Sequence, residues 1–180
     1  LTYVHRGEKL TCQGCHEDKN RSVANQVKAM PKALKRTASK IQPDVEGSWP
    51  LTFARLVQPV VDKKCASCHA ENSKAPKLNT DLDEYGWTQA YHSLAPYAWY
   101  KIGGNGAIAT NETSYSIPGQ VGAQASKLYH ILNEEHHDLK LSDEEMYRFT
   151  LWLDCNSTFY GAYHNIAEQS RGERVVPFLW

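Results

Sequence analysis

Apolar residues recur at helical spacing in three stretches of the chain. In LTFARLVQPVVDKKCASCH, residues 51–69, Phe53, Leu56, Val57, Val60, Val61 and Lys64 share one face, and Pro59 is expected to kink the helix they form. In ASKLYHILNEEHH, residues 125–137, Leu128, Ile131 and Leu132 make a shorter stripe. The third stretch runs from Asp143 to about Cys155 and directs Met146, Phe149, Trp152 and Leu153 inward. Its start is well marked. Ser142 stands at the N-cap with Glu145 three residues on, which is a capping box, and acidic residues sit at the positive end of the helix dipole.

Elsewhere the pattern weakens. Residues 2–10, TYVHRGEKL, read as a short strand or loop, and Pro31 divides the next segment into short helices or a helix and a loop. IQPDVEGSWP, with its prolines, glycine and acids, marks a boundary near residue 47. Residues 70–124 are the least regular, with GGNG, IPGQVG and a supply of aromatics in Tyr85, Trp87, Tyr91, Tyr97, Trp99, Tyr100 and Tyr115. They read as long loops around short helices, either wrapping a large group or closing a loop-rich core. The tail from about Asn165 has no clear pattern. The expected organisation is therefore 1–47, an N-terminal segment; 48–166, a helical domain; and 167–180, a tail.

Length and apolar content suit a globular chain that folds without staples. Net charge is zero overall, yet residues 1–64 hold twelve Lys/Arg against six Asp/Glu, and residues 65–180 hold eight against fourteen. From Lys19 to Lys40 every charged side chain is basic, which makes either a solvated face or a surface that steers an acidic partner. No run of about twenty apolar residues exists to span a membrane. Nothing points to a nucleic-acid partner.

The chemistry is concentrated in two short motifs, CQGCH and CASCH. Two CxxC pairs could build a tetrahedral zinc site, and one could serve as a redox dithiol. Zinc needs no histidine directly behind both pairs, and the chain has only eight histidines in 180 residues. A thioredoxin-type dithiol needs a βαβ frame that the pattern lacks. Haem c attachment uses all three residues: the thiols add to the two vinyl groups of the macrocycle, and the adjacent imidazole becomes the proximal iron ligand. Two covalently bound haem c groups are expected, one on Cys12 and Cys15 with His16, the other on Cys65 and Cys68 with His69.

A sixth ligand is required for low-spin iron, and His or Met supplies it. In small cytochromes c, loops lead from a CxxCH helix to a distal ligand shortly before the terminal helix, and here that place is held by His136 or His137. Met146 reads as core, His130 as an amphipathic-edge residue, and Cys155 as a packed thiol at the end of a buried helix. For the first haem the candidates are His5, His164, Met30 and His92, in that order.

The run PVVDKKCASCH … ASKLYHILNEEHHDLKLSDEEMYRFTLWLDCNSTFYGAY resembles the haem c domains of proteins related to the alpha subunit of hydrazine synthase. The upstream GEKLTCQGCHE … ALKRTASKIQP is similar to the haem segment preceding that domain, so the likeness covers most of residues 1–163. It implies a bis-histidine haem in the second domain with His136 as distal ligand, although Glu135 stands where the related pattern has glycine. The beta-propeller of that subunit has no counterpart here, and hydrazine chemistry is not carried over. The fold expected is all-α, a class I cytochrome c-like helical domain with long loops, preceded by a smaller haem-binding segment. The function expected is single-electron transfer to a redox protein or another domain of a parent protein, in a periplasmic or secreted setting that requires an export signal in the full gene. A haem enzyme with an open or weakly ligated first haem is the alternative.

Overall fold

The structure is a computed structural model that describes residues 35–98, 122–134 and 136–178. The chain divides into two compact units, Leu1–Gln42 and Pro43–Trp180. Of the first unit, residues 35–42 are described; Lys35, Arg36 and Lys40 are exposed, and the Arg36 guanidinium donates to Ser39 Oγ at 2.9 Å. Cys12, Cys15, His16, His5 and Met30 lie outside the described residues, as do Trp99, Tyr100 and Tyr115. The division at 42/43 falls ahead of the boundary near 47 read from composition, because residues 43–50 are fastened to the second unit. Arg148 pairs with Glu46 at 2.5 Å, and Arg55 donates to the Val45 carbonyl at 3.1 Å.

The second unit is all-α among its described residues: α1 (Phe53–Leu56), α2 (Gln58–Lys64), α3 (Ala66–Glu71), α4 (Gln89–Ala98), α5 (Lys127–Asn133), α6 (Asp143–Asp154) and α7 (Ile166–Ser170). The sole extended pairing there is an isolated bridge between Leu82 and Thr88. The first three helices are nearly one. Val57 N donates to Phe53 O, Cys65 N to Val61 O and His69 N to Cys65 O at 2.8, 2.9 and 3.1 Å, so hydrogen bonds carry across both breaks. Pro59 falls in the first turn of α2, where its missing N–H leaves no gap in the ladder. The helix is interrupted at Val57, and the apolar residues on both sides of the break stay buried. Thr52 caps α1 by accepting from Arg55 N at 3.2 Å.

That face is the floor of the core: Phe53, Leu56, Val57, Val60 and Val61 are all buried, as are Phe149, Trp152 and Leu153 of α6. Phe53 meets Trp152 and Tyr91 edge-on, each at 5.2 Å between ring centres, and stacks on Phe159 at 6.0 Å. Trp87 joins the same cluster through Tyr91. Trp87 and Tyr91, from the loop-rich stretch, close the core, whereas Tyr97 lines a cavity and Tyr85 is exposed. Both hydrogen bonds of the capping box at Ser142 and Glu145 form. Two residues differ from expectation: Met146 is half-buried, and Cys155 is the exposed C-cap of α6 rather than a packed thiol.

The tail is ordered by a buried amide. Gln169, on α7, is 0% exposed; its oxygen accepts from Gly161 N and Ala162 N at 2.9 and 3.2 Å, and its nitrogen donates to Ala162 O at 2.9 Å. Gly161 cannot be larger, because a Cβ there would lie 2.6 Å from Leu51 N.

Candidate functional site

Cys65 joins α2 to α3, and Cys68 and His69 follow one helical turn later, so all three side chains turn toward the same cleft. The opposite wall is the segment between α5 and α6, residues 136–140. Together they line a cavity of about 810 Å³, within the range of pockets that hold cofactors. An adjoining cavity of about 200 Å³ shares Cys65, His69, Pro76, His136 and Leu139 with it and is otherwise walled mostly by apolar side chains, among them Val61, Leu94, Leu128, Leu132 and Phe149, with Ser93 a polar exception. Leu128 and Leu132 of the short sequence stripe thus face the site.

His69 and His136 confront each other across this cleft with ring centres 6.2 Å apart and planes inclined at 40°. A metal–imidazole bond of about 2 Å, plus about 1 Å from nitrogen to ring centre, sets two imidazoles on opposite sides of one metal about 6 Å apart. Axial ligand planes can rotate about their common axis, so the inclination is compatible with that arrangement. His69 Nδ1 lies 2.8 Å from the Pro76 carbonyl oxygen, which can only accept. The proton therefore sits on Nδ1, and the lone pair is left on Nε2 for a ligand. Burial, helped by neighbouring His137 and His69, pushes the His136 imidazole down from the ordinary histidine value, a shift toward the neutral form that binds metals.

The two thiols are free of any disulfide. Burial pushes the Cys65 thiol up to about 11, which disfavours the thiolate that zinc or dithiol exchange would use. Among the described residues no group of three or more His, Cys, Asp and Glu is arranged to hold a metal ion. Two opposed imidazoles supply two axial positions; the equatorial ones would have to come from a planar group lying between them. The donor set, thiol positions and apolar inner wall fit a haem.

Comparison with family models, with curated proteins and with solved structures gives no match.

The other candidate ligands stand elsewhere. His137 lines the larger cavity but is exposed, its ring 4.8 Å from that of His136. His92 is bound to Asp83 at 2.7 Å. His130 Nε2 donates to the Gln124 carbonyl at 2.9 Å. His164 is half-buried with its ring 5.7 Å from Phe178, and is not among the residues lining either cavity.

The structure adds participants that the sequence did not single out. Pro76 contributes only a carbonyl, and no residue letter advertises one. Lys64 Nζ donates to Lys140 O at 3.2 Å and lies 3.5 Å from Glu145, which also takes Lys63 at 3.0 Å. The capping box flags Glu145, but only as a helix start.

Proposed function

We propose that the chain is a dihaem c-type cytochrome, or the dihaem part of a larger protein, that transfers single electrons to a redox protein or a neighbouring domain. The observation that carries this reading is the opposed pair His69 and His136, 6.2 Å apart, directly beside two free cysteines one helical turn apart. When bound, haem supplies a reversible one-electron iron couple. The chain's part is to hold and insulate it. Cys65 and Cys68 would tether it, His69 and His136 would ligate its iron, and Leu94, Tyr97, Leu128 and Phe149 would exclude water from its inner side. Two nitrogen ligands favour the ferric state relative to a His/Met pair and keep the potential low.

The class I cytochrome c-like reading of the fold belongs to the same proposal. Its support is the order of the described parts: a CxxCH helix, the short helices α4 and α5, a histidine facing back to the motif, then the capped helix α6. Cys12, Cys15 and His16 repeat the motif and assign the first haem by sequence alone. A covalent haem implies attachment outside the cytoplasm, so an export route is part of the proposal.

The deciding experiment is extraction with acidified organic solvent followed by mass spectrometry of the purified chain. Colour that stays on the polypeptide, with added mass equal to two haems, is the expected result. A colourless, zinc-containing protein would sink the reading.

A further inference from the structure

We infer that Glu145 and Lys64 form a clasp that holds His136 in register with His69, so that both are positioning residues for the distal face of the second haem; this rests on the haem reading above. Lys63 and Lys64 end α2, immediately before Cys65, on the proximal side of the cleft. Glu145 belongs to the first turn of α6, on the distal side. One carboxylate joins the two. Its Oε1 lies 3.0 Å from Lys63 Nζ, its Oε2 lies 3.5 Å from Lys64 Nζ, and Oε2 also accepts from Ser142 N at 2.9 Å. Lys64 then donates to Lys140 O at 3.2 Å, inside the segment that links His136 to α6.

The two lysines do not weigh equally. Lys63 is 69% exposed, and water screens its pairing; Lys64 is 30% exposed and Glu145 11%, so the sheltered pair is the one that holds. A helix cap alone does not need this charge, because glutamine completes a capping box as well as glutamate does. The carboxylate has a second use, which is to fix Lys64 so that its ammonium can reach the Lys140 carbonyl. Release of that carbonyl frees residues 136–140 from the proximal wall and lowers the fraction of molecules in which His136 faces His69.

That fraction is measurable with cyanide, whose apparent affinity at the second haem rises as His136 spends more time displaced. Glu145→Gln keeps the cap and removes the charge; Lys64→Met removes the other half of the clasp. Each is expected to tighten cyanide binding about tenfold, with the double variant little beyond either single one, because both break the same unit. Ser142→Ala weakens the cap while leaving the clasp in place, and is expected to lower the melting temperature with cyanide affinity unchanged. His136→Ala identifies the second haem's signal. Glu145→Gln or Lys64→Met binding cyanide within twofold of the parent overturns the clasp. A mass showing no covalent haem, or a His136→Ala protein with unaltered cyanide binding, overturns the underlying haem assignment instead, and the clasp with it.

Discussion

Adjacent histidines separate at the scale of single residues. His136 is half-buried and faces His69, whereas His137 is exposed and takes a left-handed backbone with φ of 50°, followed by Asp138 at 61°. The turn closes with Leu139 N donating to His136 O at 2.9 Å. Two consecutive non-glycine residues in this region are uncommon, and they aim the neighbouring side chains apart. On the proposed reading, His136→Ala converts one of two low-spin haems to a high-spin or exogenously ligated form, with both sets of thioether bonds intact; electron paramagnetic resonance and mass spectrometry read the two outcomes. His137→Ala leaves two low-spin haems. The reverse result would assign the ligand to His137. Cys65, Cys68, His69 and His136 were singled out in the sequence because the chemistry expected of the motif demands particular side chains, and the structure brings all four to one cleft. The Pro76 carbonyl was not, since every residue carries the same group.

At the scale of elements, the helices rest on an aromatic junction more than on their own propensity. α1 has only four residues, too few to persist alone, and exists because Phe53 is clasped by Tyr91, Trp152 and Phe159. Phe53→Ala is expected to lower the unfolding free energy by about 3–5 kcal/mol, read by denaturant titration. A loss below about 1 kcal/mol would show that the junction is dispensable. Periodicity revealed the face of α1 and α2 and the inward side of α6, because 3.6-residue spacing is what burial on one side requires. It missed α7, whose anchor is a polar residue: the buried Gln169 amide accepts from Gly161 N and Ala162 N and donates to Ala162 O and His164 O, and a glutamine in a polar tail carries no periodic signal. It left the role of the middle aromatics open between wrapping a group and closing the core, since Trp87 and Tyr91 look the same in sequence whether they pack on Phe159 or on a cofactor.

For the molecule as a whole, the balanced net charge conceals local pairings that set its tolerance of acid. The Ser142 backbone N–H, together with Lys63 and Lys64, pulls the Glu145 carboxyl from 4.5 down to about 2. A carboxylate depressed in the folded state stabilises it fully above the ordinary value, and the contribution fades as pH falls through the window from about 4.5 to about 2. Melting temperatures of the parent should therefore exceed those of Glu145→Gln at neutral pH and converge with them near the lower end of that window. A gap that persists unchanged into acid would mean the carboxylate's charge is not what stabilises the fold. The molecule is also unequal in how firmly its two walls are built. Cys65, Cys68 and His69 belong to one turn of chain, and His69 is further pinned to Pro76, while His136 stands on a short segment between two helices. On the proposed haem reading, any small molecule that competes for the iron would then arrive from one direction only, displacing His136 and leaving His69 in place, so that exchange there would be one-sided by construction.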